Sequence, residues 1–174
     1  KKYLMKIKKA IVLCAGFGKR LRPLTKNTPK PLIKYKNKTL LEHSINFLVS
    51  LGVKHIVINT HYLHQKIKKF IKVKKFKCKL ETVFEKKQIL DTGGGVLNAS
   101  KKINQQVFFV INPDTIWNKE YKKEFKKMDS IYNNKRKPIM LLVDKNKSLD
   151  KSFKGDFNIN SSKKIIKGKK NNYI

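Results

Sequence analysis

Residues 10–32 read "AIVLCAGFGKRLRPLTKNTPKPL". Six apolar residues run directly into Gly16-Phe17-Gly18. A continuous apolar run closed by glycine is the pattern of a strand covered on both faces, as in a parallel sheet. The loop that follows holds two of the eight glycines, three of the five prolines and two of the arginines of a lysine-dominated chain. A buried strand that opens into so specialised a loop sets the expectation for the rest of the molecule.

Similar runs recur at 55–60 (HIVINT), 107–112 (VFFVIN) and 139–143 (IMLLV), with a weaker one at 80–84 (LETVF). Helical patterns lie between them. Thr39 and Glu42 make a capping box, followed by Leu41, Ile45, Leu48 and Val49 on one face and by Gly52 as a stop. Leu63, Ile67, Phe70 and Ile71 form a second apolar face, and Val96, Ala99 and Ile103 a third. Tyr121, Phe125, Met128 and Tyr132 form a fourth. The order βαβαβαβαβ predicts an α/β fold, a Rossmann-like doubly wound, mostly parallel sheet with helices on both faces. From Asp156, "DFNINSSKKIIK" predicts a β-hairpin with a Ser-Ser turn. With no repeat and no linker, residues 1–174 read as a single domain.

Composition excludes several classes. At 40 % hydrophobic residues the chain is not a disordered polycation. No apolar run is long enough to span a membrane, and Ala10–Ala15 is too short for a signal-peptide core, so a cytoplasmic protein is expected. Cys14 and Cys78 lack metal or redox spacing and read as reduced thiols. The net charge of +32 invites a nucleic-acid reading. Nearly all of that charge is lysine spread along the chain, whereas phosphate and base recognition favours clustered arginine. No specific nucleic-acid partner is expected.

In a doubly wound sheet, ligands bind beyond the carboxyl ends of the strands. The unusual residues fall there: Gly16 and Gly18 after the first strand, and Asn59 and His61 after the second. Asp91 to Gly95 follow the third, and Asn112-Pro113-Asp114 end the fourth. The first loop is not a dinucleotide fingerprint, because Leu21 holds the place of the third glycine. Bare backbone N–H groups beside Gly16 and Gly18 suit a phosphate. Prolines 23, 29 and 31 stiffen the loop, so that Arg20 and Lys30 can hold a polyphosphate.

"LCAGFGKRLRPLTKNTPKPL" (13–32) resembles the signature of the sugar-1-phosphate nucleotidyltransferases. "VINTHYL" (57–63), "ILDTGGGVLNA" (89–99) and "FFVINPDTIW" (108–117) continue the resemblance, which covers residues 8 to about 160. The last two blocks are most similar to the branch that uridylylates N-acetylmuramate 1-phosphate in cell-wall recycling, with mannose-1-phosphate guanylyltransferase-like proteins next. The resemblance implies transfer of a nucleotidyl group from a nucleoside triphosphate to a sugar 1-phosphate, with release of pyrophosphate and with Mg²⁺ as cofactor. It implies catalytic roles for Arg20, on the β and γ phosphates, and Lys30, at the α phosphate. It makes Ala15, Gly16, Phe17, Gly18, Thr92, Gly93 and Gly94 nucleotide-binding, and Asp114 the metal ligand. Asn59, His61 and Asn112 are possible substrate contacts. A second metal aspartate is expected from the resemblance, but Asp144, Asp150 and Asp156 do not sit in its motif. The chain therefore reads as the nucleotide-binding portion of a longer enzyme whose sugar-binding part is absent. A shortened nucleotide-binding module without transfer is the alternative.

Overall fold

The computed structural model describes residues 5–104, 107–148, 154–168 and 171–174. Two compact units divide at Ser130 and Ile131. The first carries every element of the main sheet.

Strand β1 (Lys9–Cys14) opens the fold. The short strands β2 (Lys34–Tyr35) and β3 (Lys38–Thr39) form a hairpin whose two corner residues, Lys36 and Asn37, both lie in the left-handed region at φ 45° and 62°. Two consecutive left-handed residues make the tight turn that matches strand twist. Helix α1 (Leu40–Ser50), strand β4 (His55–Thr60), helix α2 (His64–Val73) and strand β5 (Lys79–Phe84) follow. Helix α3 (Asp91–Ser100), strand β6 (Phe109–Ile111) and helix α4 (Tyr121–Lys135) complete the series.

The sheet has the order β5-β4-β1-β6, with every pair parallel. Register runs Ile11 to Val57 on one side and Ile11 to Val110 on the other. Ile11, Val57, Ala99 and Ile103 are buried together, with Leu13, Val83, Val96 and Phe108 against them, so α3 covers one face. Side-chain alternation turns Val12, Ile56, Ile58 and Phe109 to the other face. There Phe109 and Phe47 each meet the Phe125 ring at 5.1 Å, which places α1 and α4 on that side. Buried aliphatic side chains of this size contribute about 1.5–3 kcal/mol each, so this two-faced core carries the stability of the unit. The doubly wound arrangement expected from the sequence is present.

The caps follow local chemistry. The Thr39 hydroxyl accepts from Glu42 N at 3.1 Å, as the capping box requires. The Glu42 carboxylate does not complete the box; it pairs with Lys74 of the α2 C-terminus at 2.9 Å. Asp129, buried on α4, accepts from the backbone N–H groups of Lys6 (3.1 Å) and Ile7 (2.9 Å) and so fixes the approach to β1. At the entrances of β4 and β5, hydrogen bonds from Lys79 and then His55 hold the Glu81 carboxyl below its ordinary range.

One expected strand does not form. Residues 139–143 carry an apolar run but no ladder, and Met140 is exposed. Their unit, 131–174, supplies only a stub of partner: Val143 and Ile174 exchange two 2.9 Å backbone bonds, and Asp144 bridges Tyr173. An apolar run becomes a strand only where a neighbouring edge satisfies its backbone. The expected hairpin does form, from β7 (Asn158–Ile159) and β8 (Ile165–Ile166), with Ser161-Ser162 at the corner closed by Lys163 N to Asn160 O at 2.9 Å. Asp144 caps the short turn Lys145–Lys147 by accepting from Asn146 N, and Asp156 N donates to Tyr173 O. Asp150 lies outside the described residues.

Candidate nucleotide site

Strands β4 and β6 flank β1, so the direction of winding reverses at β1. The crevice at such a reversal is where doubly wound sheets place ligands. A cleft of about 270 Å³ opens at this point, lined by Cys14, Gly16, Gly18, Arg20, Lys30, Asn112 and Asp114 among others.

The loop after β1 is built by its own residues. Gly18 has φ 64°, and a Cβ there would stand 2.9 Å from Thr25 Cγ2 and 3.3 Å from Lys30 Cβ. Both the left-handed backbone and the close approach therefore call for glycine. Thr25 is fully buried and its hydroxyl donates to Gly18 O at 2.8 Å. The Tyr62 hydroxyl sits 2.7 Å from Lys26 O and 3.1 Å from Thr25 O. Phe17 meets the His61 ring edge-on at 5.5 Å and the Tyr62 ring at 5.6 Å. The prolines contribute through a cis bond at Arg22–Pro23 and a short turn, Lys30–Leu32, that Pro29 leads into. Thr25, from inside the loop, and Tyr62, from beyond β4, thus tie the loop by hydrogen bonds.

Lys30 and Asp114 come from loops after β1 and β6, yet Lys30 Nζ lies 2.5 Å from Asp114 Oδ2. The side chains remain 27 % and 41 % exposed, so the pair faces the open cleft. The buried Ser44 hydroxyl lies 3.5 Å from Pro113 O, beside Asp114. Arg20 is exposed on the cleft wall. Below them the Cys14 thiol is pushed far above its ordinary range, first by burial and then by the Asp114 charge. Among the described residues no cluster of three metal-binding side chains exists. A single exposed carboxylate in an open cleft still fits Mg²⁺, which keeps several waters and takes one or two carboxylates.

The remaining expected residues do not line this cleft. Ala15 is buried beneath the loop. Thr92 and Gly93 are exposed and Gly94 half-buried, in the first turn of α3 and not in a loop ahead of it, since the helix already begins at Asp91. Asn59 is 2 % exposed, and its amide is taken up by the protein: Oδ1 accepts from Cys14 N at 2.7 Å and Nδ2 donates to Glu85 Oε1 at 2.7 Å. His61 Nδ1 lies 2.6 Å from Glu85 O. A carbonyl only accepts, so Nδ1 carries the hydrogen. Glu85, also 2 % exposed, accepts from Leu90 N through Oε2 at 2.9 Å. Sequence reasoning passed over Glu85; the available signal was an acidic residue, rare in this chain, at the end of an apolar strand.

A parallel sheet reversed at β1, with glycines, two cations and a carboxylate lining a cleft at the reversal, defines a doubly wound α/β protein. More particularly, the chain belongs to the nucleotidyl transferase family, whose model matches residues 9–153. Over 111 residues, 62 % of the chain, it is 35 % identical to the N-acetylmuramate alpha-1-phosphate uridylyltransferase of Caulobacter vibrioides. Over the same share it is 34 % identical to the catalytic subunit beta of mannose-1-phosphate guanylyltransferase from Danio rerio. These matches cover 46 % and 31 % of the two relatives, so the chain spans less than half the length of the curated relatives it matches. The fold is similar to that of UTP-bound UGPase from Acinetobacter baumannii, with a TM-score of 0.72 and 21 % identity over 96 % of this chain and 71 % of that one.

Proposed function

We propose that the chain carries the nucleotide-binding portion of a sugar-1-phosphate nucleotidyltransferase. The observation that carries this is the meeting of Lys30 and Asp114, 84 residues apart in sequence, at the winding reversal beside the Gly16–Arg20 loop. In the proposed reaction, a sugar 1-phosphate oxygen attacks the α-phosphorus of a nucleoside triphosphate. A new P–O bond forms, and the bond from the α-phosphorus to its bridging oxygen breaks. Pyrophosphate leaves with the electron pair. Such chemistry asks chiefly for positioning and charge stabilisation.

The roles follow from place. The N–H groups beside Gly16 and Gly18 take phosphate oxygens, Arg20 holds the outer phosphates, and Lys30 faces the reacting one. Asp114 would hold Mg²⁺, which when bound would neutralise phosphate charge, and Asn112 beside it would meet substrate. Ala15, Phe17 and the Thr92-Gly93-Gly94 turn border the nucleobase and ribose. Asn59 positions the loop from below, and His61 stands at the rim. UTP and N-acetylmuramate 1-phosphate are the preferred substrates, which would make this a cytoplasmic enzyme of cell-wall recycling. GTP with mannose 1-phosphate is the second reading, favoured by the Danio rerio relative at nearly equal identity. The sugar pocket is assigned outside these 174 residues. No described helix is long and apolar enough to cross a membrane.

Calorimetric titration with Mg-UTP and Mg-GTP, with pyrophosphate release on adding each sugar 1-phosphate, tests the reading. UTP binding is expected. Lys30→Ala or Asp114→Ala should cut any pyrophosphate release by about 10²–10³, the effect of losing one preorganised charge contact. A chain that binds neither nucleotide, or variants that match a parent chain measurably releasing pyrophosphate, would reject it.

A further inference from the structure

The two halves of the site, the loop after β1 and the glycine turn of α3, share no backbone hydrogen bond among the described residues. They are joined by two side chains. Cys14 N donates to Asn59, Asn59 donates to Glu85, and Leu90 N, at the entry to α3, donates to Glu85. Both side chains are buried, and no cation pairs with Glu85 among the described residues. A buried carboxylate without a counter-ion is costly unless its oxygens are fully used. Here each oxygen has its own donor, on opposite sides. Helix α3 sits directly on the pair: a Cβ at Gly95 would lie 2.6 Å from Asn59 Nδ2 and 3.1 Å from Glu85 Oε1. A residue that only filled space would need no charge.

We infer that Glu85 is the positioning residue of the nucleotide site, setting, through Asn59, the separation between the Gly16–Gly18 loop and the first turn of α3. This rests on reading the cleft as a nucleotide site. Glu85 touches no cleft surface of the triphosphate loop; it acts through Asn59 and Leu90. The hydrogen-bond chemistry makes the idea specific. In Glu85→Gln the amide nitrogen must face one of two donors. In Asn59→Asp two carboxylates face each other. Combined, the two substitutions restore every bond: the new carboxylate accepts from Cys14 N and from the new amide, whose oxygen accepts from Leu90 N.

The experiment measures Mg-UTP affinity, thermal melting and amide hydrogen exchange in the parent, both single variants and the double variant. Each single variant should bind about tenfold or more weakly, in the range expected when a site is displaced by less than 1 Å. The double variant should return close to parent affinity. Exchange at Cys14 N–H, which Glu85 does not touch, should accelerate in Glu85→Gln and slow again in the double variant. Parent-like binding and exchange in the single variants would overturn the inference. So would a double variant that stays as weak as the singles, or that fails to fold. If the single variants fail to fold, a folded, binding double variant supports it. If the parent chain binds no nucleotide, the proposed function falls, and the exchange at Cys14 still decides the coupling.

Discussion

At the residue scale, chemistry was legible where a residue type is scarce. Arg20 stands out in a chain with almost no arginine, and Asp114 in one with few acids, and both line the cleft. Glu85, Thr25 and Asp129 were not legible, because their value lies in partners 26, 7 and 122 residues away that no local pattern announces. Cys14 shows how far place overrides type. Its burial, reinforced by Asp114, raises the thiol far above its ordinary range, and Cys78, half-buried, is raised by burial alone. Only the thiolate attacks disulfide reagents. In the native chain at pH 8 a colorimetric disulfide reagent should therefore titrate Cys78 first and reach Cys14 only after denaturant is added. Equal rates for both thiols in the folded chain would contradict the burial of Cys14.

At the element scale, strands were legible as apolar runs wherever the sheet had an edge to offer, and illegible at 139–143, where pattern alone promised a partner that unit 131–174 does not supply. The β2–β3 hairpin was missed because its corner is Lys-Asn, without the glycine that usually marks two left-handed residues. Helix α3 is the instructive element, since its first turn carries three glycines with three different surroundings. Nothing lies within 4 Å of a Cβ at Gly93, whereas Gly95 is closed by Asn59 and Glu85. Gly93→Ala should raise stability to denaturant by about 0.5–1 kcal/mol, the backbone entropy glycine loses in a helix. Gly95→Ala should lower it by about 1–3 kcal/mol through overpacking. Urea midpoints at constant slope measure both, and a stabilising Gly95→Ala would show that the pair beneath it gives way.

At the scale of the whole molecule, lysine is the dominant fact. A net charge of +32 on 174 residues sets the folded state against itself. Raising salt from about 0.05 to 0.5 M shortens the screening length from roughly 14 to 4 Å. The melting temperature should climb, by about 2–4 °C for each ~1 kcal/mol of repulsion removed. A melting point that falls with added salt would show that attractive pairs such as Lys30–Asp114 outweigh the repulsion. The global topology was the most legible level of all, since order and period of the apolar runs leave few ways to wind a parallel sheet. One consequence of that winding concerns time. Ala10 pairs with Phe109, and the cleft draws on both ends of the interval. As the chain leaves the ribosome, the loop after β1 emerges before β6 and must wait until about a hundred more residues have been made, so the site is born late, at the closing of the largest loop in its sheet.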